Sequence, residues 1–237
     1  MKKTIIFIPF LLISLLFTLT LAFAEKLIYQ EYNVIEEIYD KKIPLVYKVY
    51  ISIYNTKTDI IQDDNIIYTY ITDFQNYPEV TYISIDHQTK KYYTEKYNAQ
   101  QAVDNPLLNN IFKNVEIKEN QQKITINNKT INSTKYILTI QNQPLMDITL
   151  SKIQDILPPP EFEEYKKLKS KTKNFLDPLS NLENIEFFKQ IKTKLDEDFI
   201  MTEIYSNTIT LKQTMTKFSI IDQDLSIFNV PNEYQKQ

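Results

Sequence analysis

The chain has 237 residues, a formal net charge of −3, and no cysteine, glycine or tryptophan. Its positive charge is lysine alone, since no arginine occurs; an acidic balance without guanidinium forks argues against nucleic-acid binding. Lack of cysteine excludes thiol chemistry, disulfides and thiolate metal sites, and lack of glycine excludes phosphate-binding glycine loops and the G-x-S-x-G nucleophile elbow.

Residues 1–24 read as a cleavable secretory signal peptide. Lys2 and Lys3 are a basic start, Ile5 to Leu21 is an almost unbroken apolar run, and Ala22-Phe23-Ala24 closes it. Signal peptidase accepts only small side chains at two of those last places, which makes Ala22 and Ala24 its recognition residues. An uncleaved anchor is the alternative, because the run approaches the length that spans a bilayer. No later run is that long and apolar, so the mature form, residues 25–237, is expected not to span a membrane and to be one domain, periplasmic or secreted. Losing Lys2 and Lys3 takes its formal charge to −5.

From Glu25 to Tyr97 the pattern is β. Leu45 to Tyr54 alternates, with Leu45, Tyr47, Val49, Ile51 and Ile53 on one face. Ile66 to Phe74 repeats the alternation with Tyr68 and Tyr70, and Val80 to Ile85 and Lys91 to Tyr97 flank a polar turn at His87 to Lys90. Asn55-Thr56-Lys57 and Asp63-Asp64-Asn65 are turn chemistry. Asn98 to Asn114 is expected to be helical in pieces. Strands then return over Val115 to Ile126 and Thr130 to Gln141, joined at Asn127-Asn128, and over Leu145 to Ile153. With no glycine, turns needing φ > 0 must fall to Asn and Asp.

Pro158-Pro159-Pro160 breaks the β pattern and opens a helix with acids first and lysines last, complementing the helix dipole. A second helix is expected from Ser180, with Leu182, Ile185, Phe188, Ile191 and Leu195 as an apolar stripe docked on a sheet. Strands at Phe199 to Tyr205 and Thr208 to Ile221 finish the chain. The pieces predict an α+β fold: an antiparallel sheet of roughly eight to eleven strands with two or three helices.

Little in the sequence carries catalytic chemistry. His87 is the single histidine, placed in a turn with no second ligand to complete a metal site, and no serine sits in a nucleophile context. Acid pairs such as Asp63-Asp64 and Glu163-Glu164 fall where turns and helix starts call for acids anyway. The chain is expected to be non-enzymatic and to need no cofactor. Its unusual feature is aromatic: 17 tyrosines and 13 phenylalanines, many alternating along strands. Tyrosine suits a half-buried pleated surface for packing reasons alone, and suits equally an apolar concavity with hydroxyls reaching water.

Ile85-Asp86 with Lys90-Lys91-Tyr92-Tyr93-Thr94-Glu95, Leu150-Ser151-Lys152 before the prolines, and the ending Phe228-Asn229-Val230-Pro231-Asn232-Glu233-Tyr234 together resemble an uncharacterised family of exported bacterial proteins. That family is similar to the outer-membrane lipoprotein carriers of the LolA and LolB type. The resemblance spans about residues 26–236 and implies a curved antiparallel sheet, a half-open β-barrel with covering helices, that binds an apolar ligand. A lipid or lipidated ligand is the implied partner. On the residues, the candidate cavity lining is Tyr47, Val49, Ile51, Ile53, Tyr68, Tyr70, Leu138, Ile140, Ile148 and Leu150, which ordinary core packing would explain as well. The alternative function is an envelope scaffold or protein-interaction module with a filled core.

Overall fold

A computed structural model describes residues 24–38, 41–98, 115–172, 189, 191, 193–195, 197–206 and 211–237. Its strands are β1 (Ala24–Ile38), β2 (Lys41–Ile51), β3 (Asn55–Gln62), β4 (Asn65–Asp73), β5 (Glu79–Asp86), β6 (Lys91–Asn98), β7 (Val115–Ile126), β8 (Lys129–Ile140) and β9 (Gln143–Lys152). Two helices follow, α1 (Ile153–Ile156) and α2 (Pro159–Thr172), then β10 (Phe199–Ser206), β11 (Leu211–Asp224) and β12 (Gln235–Lys236). Residues 189, 191 and 193–195 are also helical.

The twelve described strands make one sheet in the order β12-β6-β5-β4-β3-β2-β1-β11-β10-β9-β8-β7. Every pairing is antiparallel except that of β12 with β6. The sheet does not close, because β12 and β7 are its ends. It curves nonetheless: β7 reaches β11, with three strands between them in the order. Register shifts at Glu31/Tyr32, Ile60/Ile61, Leu138/Thr139 and Met201/Glu203 supply local bends.

The hairpins show how a glycine-free chain turns. Asp63 and Asp64 bridge β3 to β4 with φ of 49° and 63°, and Asn127 and Asn128 bridge β7 to β8 at 54° and 60°. Such two-residue loops need φ > 0 twice, which Asn and Asp tolerate best after glycine. Gln141 precedes Asn142 between β8 and β9 with φ of 51°, and Lys90 before β6 has 54°, so positive φ is not confined to Asn and Asp as expected.

Central position explains β1. Leu27 and Ile28 point to opposite faces, yet both are buried, so the strand is apolar on both sides and alternation is lost. Ile28, Tyr32 and Val34 join Leu45, Met215 and Phe218 in the largest cluster, with Ile153, Ile156, Tyr165 and Leu168 of α1 and α2 and Ile124, Ile126 and Ile131 from the β7–β8 end. Phe218 is fully buried and meets the Tyr165 ring edge-on at 5.9 Å. A second cluster joins Tyr136, Leu138, Ile148 and Leu150 with Ile191, on the face of β8 opposite Ile131. The third lies on the other face of the central strands, where Phe228 and its neighbours cover Leu27, Ile71 and Ile85.

Several expectations shift. The β2–β3 turn lies at residues 52–54, not at Asn55-Thr56-Lys57, because the Ser52 hydroxyl accepts the Tyr54 and Asn55 amides and turns the chain early. Ile53 therefore sits in a turn and not on a strand face. β11 runs from Leu211 to Asp224, and Leu225–Phe228 is a short 3-10 turn capped by Asp224, whose side chain accepts the Ser226 amide. The strand number exceeds the expected range by the short β12. The expected helix from Asn98 to Asn114 lies outside the described residues apart from Asn98, which ends β6. Of the second helix's stripe, Leu182, Ile185 and Phe188 also lie outside them; Ile191 and Leu195 pack on the second cluster.

Candidate functional site: a tyrosine face and a histidine chain

Cross-strand register carries one sheet face from the core into solvent. One row reads Met215, Tyr32, Tyr47, Ile60, Tyr68 and Asp86. The next reads Phe218, Gln30, Val49, Thr58, Tyr70, Ser84 and Tyr93, and the third Ile220, Ile28, Ile51, Thr56, Thr72, Tyr82 and Glu95. Beside α2 the rows are buried aliphatic and aromatic core. Across β4, β5 and β6 they hold Tyr68, Tyr70, Tyr82 and Tyr93 interspersed with Thr72, Ser84, Asp86 and Glu95, with Tyr68 37% and Tyr93 51% exposed.

These tyrosines are ordered against one another. The rings of Tyr68 and Tyr70 stack at 6.5 Å and 11°, and those of Tyr70 and Tyr82 at 5.8 Å and 17°. Partial burial pushes the phenol pKa of Tyr70 and of Tyr82 up, with neighbouring tyrosines adding to it. Tyr47 donates its hydroxyl to Glu36 at 2.6 Å; burial and that bond raise its phenol further. Tyr47, Tyr70 and Tyr82 stay neutral at ordinary pH, and the charges on this face are the carboxylates at its margins: Glu36 beside Tyr47, and Asp86 and Glu95 at the ends of the rows.

Of the expected lining residues, Tyr47, Val49, Ile51, Tyr68 and Tyr70 share this face. Tyr47, Val49 and Ile51 pack on its core end. Leu138, Ile148 and Leu150 belong to the separate cluster around Ile191; Ile140, half-buried, pairs with Gln143 and Val115. Ala22 lies outside the described residues, and Ala24 is the first residue of β1. Ile60, Tyr82 and Tyr93 join the face although they were not among the expected residues; Tyr82 and Tyr93 already carried the strand alternation that signals it. Elsewhere a polar recess of about 520 Å³ opens beside Glu31, Glu161, Thr216 and Ser219. It contains none of the expected lining residues.

The opposite face holds a chain of hydrogen bonds through His87. Thr69 donates to Asp59 at 2.5 Å, because a carboxylate can only accept. The Thr69 oxygen then receives the His87 Nε2 proton at 2.8 Å, which leaves Nδ1 to accept from the Tyr234 hydroxyl at 2.8 Å. Asp59 is also paired with Lys57 at 3.1 Å, and its side chain is only 5% exposed. Burial lowers the His87 pKa, Lys57 adds to the fall, and Asp59 and Asp86 oppose it. His87 does sit in the expected turn, but its ring is a bridge and not a free turn side chain.

This order is not that of a hydrolytic triad, in which the imidazole stands between nucleophile and acid. Here threonine stands between imidazole and acid. The Thr69 hydroxyl, buried and committed to Asp59, has no proton to give the ring and no approach for a substrate. Among the described residues no group of three or more His, Asp or Glu side chains could hold a metal ion, and no helix is long and apolar enough to cross a membrane.

No family model and no curated protein matches the chain. Among solved structures it is similar to one described as an outer membrane lipoprotein-sorting protein domain from Vibrio parahaemolyticus, at 7% identity and a TM-score of 0.32, over 86% of this chain and 89% of that one.

Proposed function

We propose that the protein is an exported, non-catalytic carrier or receptor that holds an apolar chain, of a lipid or acyl group, against the tyrosine face of its open sheet. The observation that carries this reading is the continuity of that face. Its rows pass from buried Phe218 and Met215 to solvent-exposed Tyr68 and Tyr93 without a charged residue before the β5 and β6 ends. An extended exposed apolar surface on a soluble domain is costly unless something covers it. Tyrosine rings give contact area at little entropic cost, and their hydroxyls keep the empty face wet.

Periplasmic or extracellular residence belongs to the same reading, supported by the basic, apolar and A-x-A order of residues 1–24. So does the picture of the open sheet as half a barrel, with α2 covering the end of its face near β1 and β11. Organic extraction of the purified protein, followed by mass spectrometry, tests the proposal: lipid should copurify in appreciable molar ratio.

A filled-core scaffold is favoured by one observation. Leu138 and Leu150 are fully buried against Ile191, so that wing has no room for a ligand. Lipid-free protein with a partner retained on the tyrosine face would support the scaffold.

A further inference from the structure

The last thirteen residues form a strap across the sheet. Leu225, Ile227, Phe228 and Val230 cover Ile71 and Ile85. Beyond them β12 lies parallel to β6, with the Gln235 amide donating to the Lys90 carbonyl at 3.0 Å and Gln237 to Tyr92 at 2.9 Å. The strap thus covers both an apolar patch and, at Lys91 and Tyr92, the start of the β6 edge, where unpaired amides and carbonyls would otherwise be offered to another chain.

Among the described residues, the side-chain bond that ties this strap to the body is the one between Tyr234 and His87. We propose that the strap is an acid-released latch, with the Tyr234–His87 hydrogen bond as its catch. The chain of donors runs one way, from the Tyr234 hydroxyl to Nδ1, from Nε2 to Thr69, and from Thr69 to Asp59. In that direction it is complete only while the imidazole is neutral. A proton on Nδ1 ends donation from Tyr234 and forces its hydroxyl to turn and accept instead. It also puts a second cation into a partly buried site that already holds Lys57. The charged or titratable groups that face the ring are Lys57 and Asp59 from β3, Asp86 from its own turn and Tyr234 from the strap. Asp59 is already engaged by Lys57 and Thr69, so it compensates only in part.

With the strap lifted, the ring is hydrated and titrates at its ordinary value of about 6.5. The latched form therefore binds fewer protons than the open one. Latching is fully favourable above that value and weakens as pH falls below it toward the lowered pKa of the latched form.

Hydrogen exchange of the full chain, read by mass spectrometry and corrected for intrinsic rates, tests this. Protection of the peptide covering residues 225–237 should fall several-fold between roughly pH 7.5 and roughly pH 5.5, while β1 stays protected. His87→Gln, whose amide can replace both bonds without titrating, should abolish the pH dependence. Tyr234→Phe should lower the strap's protection several-fold at both values, because the apolar contacts and the β12 backbone bonds remain, and decides the matter if the glutamine variant does not fold. Flat protection in the unaltered protein, the same acid loss in His87→Gln, or a strap as protected in Tyr234→Phe as in wild type would each overturn the latch.

Discussion

The side-chain amide of Asn127 pairs with the backbone of Phe218 as a strand neighbour would: Nδ2 donates to the Phe218 carbonyl at 2.7 Å, and Oδ1 accepts its amide at 3.0 Å. The Asn127 amide itself donates to Thr216 at 3.0 Å. The described pairing of β10 with β11 stops at Thr214, and among the described residues no strand pairs with the rest of that edge. One asparagine at a hairpin tip fills part of the gap and ties the curled end of the sheet to its centre.

Asn127 therefore does two jobs that substitutions can separate. Asn127→Gly keeps the positive φ of 54° and loses the clip; it should destabilise by about 1–3 kcal/mol, the cost of leaving part-buried backbone groups unpaired. Asn127→Ala should cost about 1 kcal/mol more, because alanine resists that φ. Urea unfolding of the two variants checks the order. Equal stability of Gly and Ala would show that the turn strain is absorbed elsewhere.

The buried ion pair on the opposite face gives a second expectation. Asp59→Ala strips a nearly buried Lys57 and Thr69 of their shared acceptor. Removing one member of such a pair typically costs about 3–5 kcal/mol. Asp59→Asn keeps an acceptor for Thr69 and should cost less. Thermal unfolding midpoints should rank wild type, Asn and Ala in descending order.

Charge insertion separates the two apolar regions. Leu150 is fully buried in the Ile191 cluster, so Leu150→Asp should unfold the domain, as an unpaired buried charge costs several kcal/mol against a typical stability of about 5–15 kcal/mol. Tyr93→Asp, on the exposed end of the tyrosine face, should stay folded and change stability by under about 0.5 kcal/mol. Circular dichroism of both decides it. A folded Leu150→Asp would mean that water reaches the Ile191 cluster.

How much of this was legible depended on period and on distance along the chain. Tyr47, Val49, Ile51, Tyr68 and Tyr70 were readable as one face because alternation of period two survives on strands buried on one side. β1 hid its boundaries because burial on both faces erases that alternation. Leu138 and Leu150 alternate as cleanly as Tyr47, yet alternation says which residues share a side of a strand, not whether that side meets ligand or packing. The turn at residues 52–54 was misplaced because Asn55 looks like turn chemistry, while Ser52, less conspicuous, makes the bonds. His87 was visible only as a lone turn residue, since its partners Thr69 and Tyr234 lie 18 and 147 residues away, and no local pattern encodes such contacts.

The central claim is that the open tyrosine face carries an apolar ligand, and the molar ratio of lipid extracted from purified wild type and from a Tyr82→Ser, Tyr93→Ser double variant tests it most directly. The account predicts appreciable lipid on the wild type and little on the variant, with thermal midpoints that match closely because Tyr93 is largely exposed and Tyr82 only partly buried. Wild-type protein free of lipid, or a folded variant that keeps the wild-type amount, would contradict it.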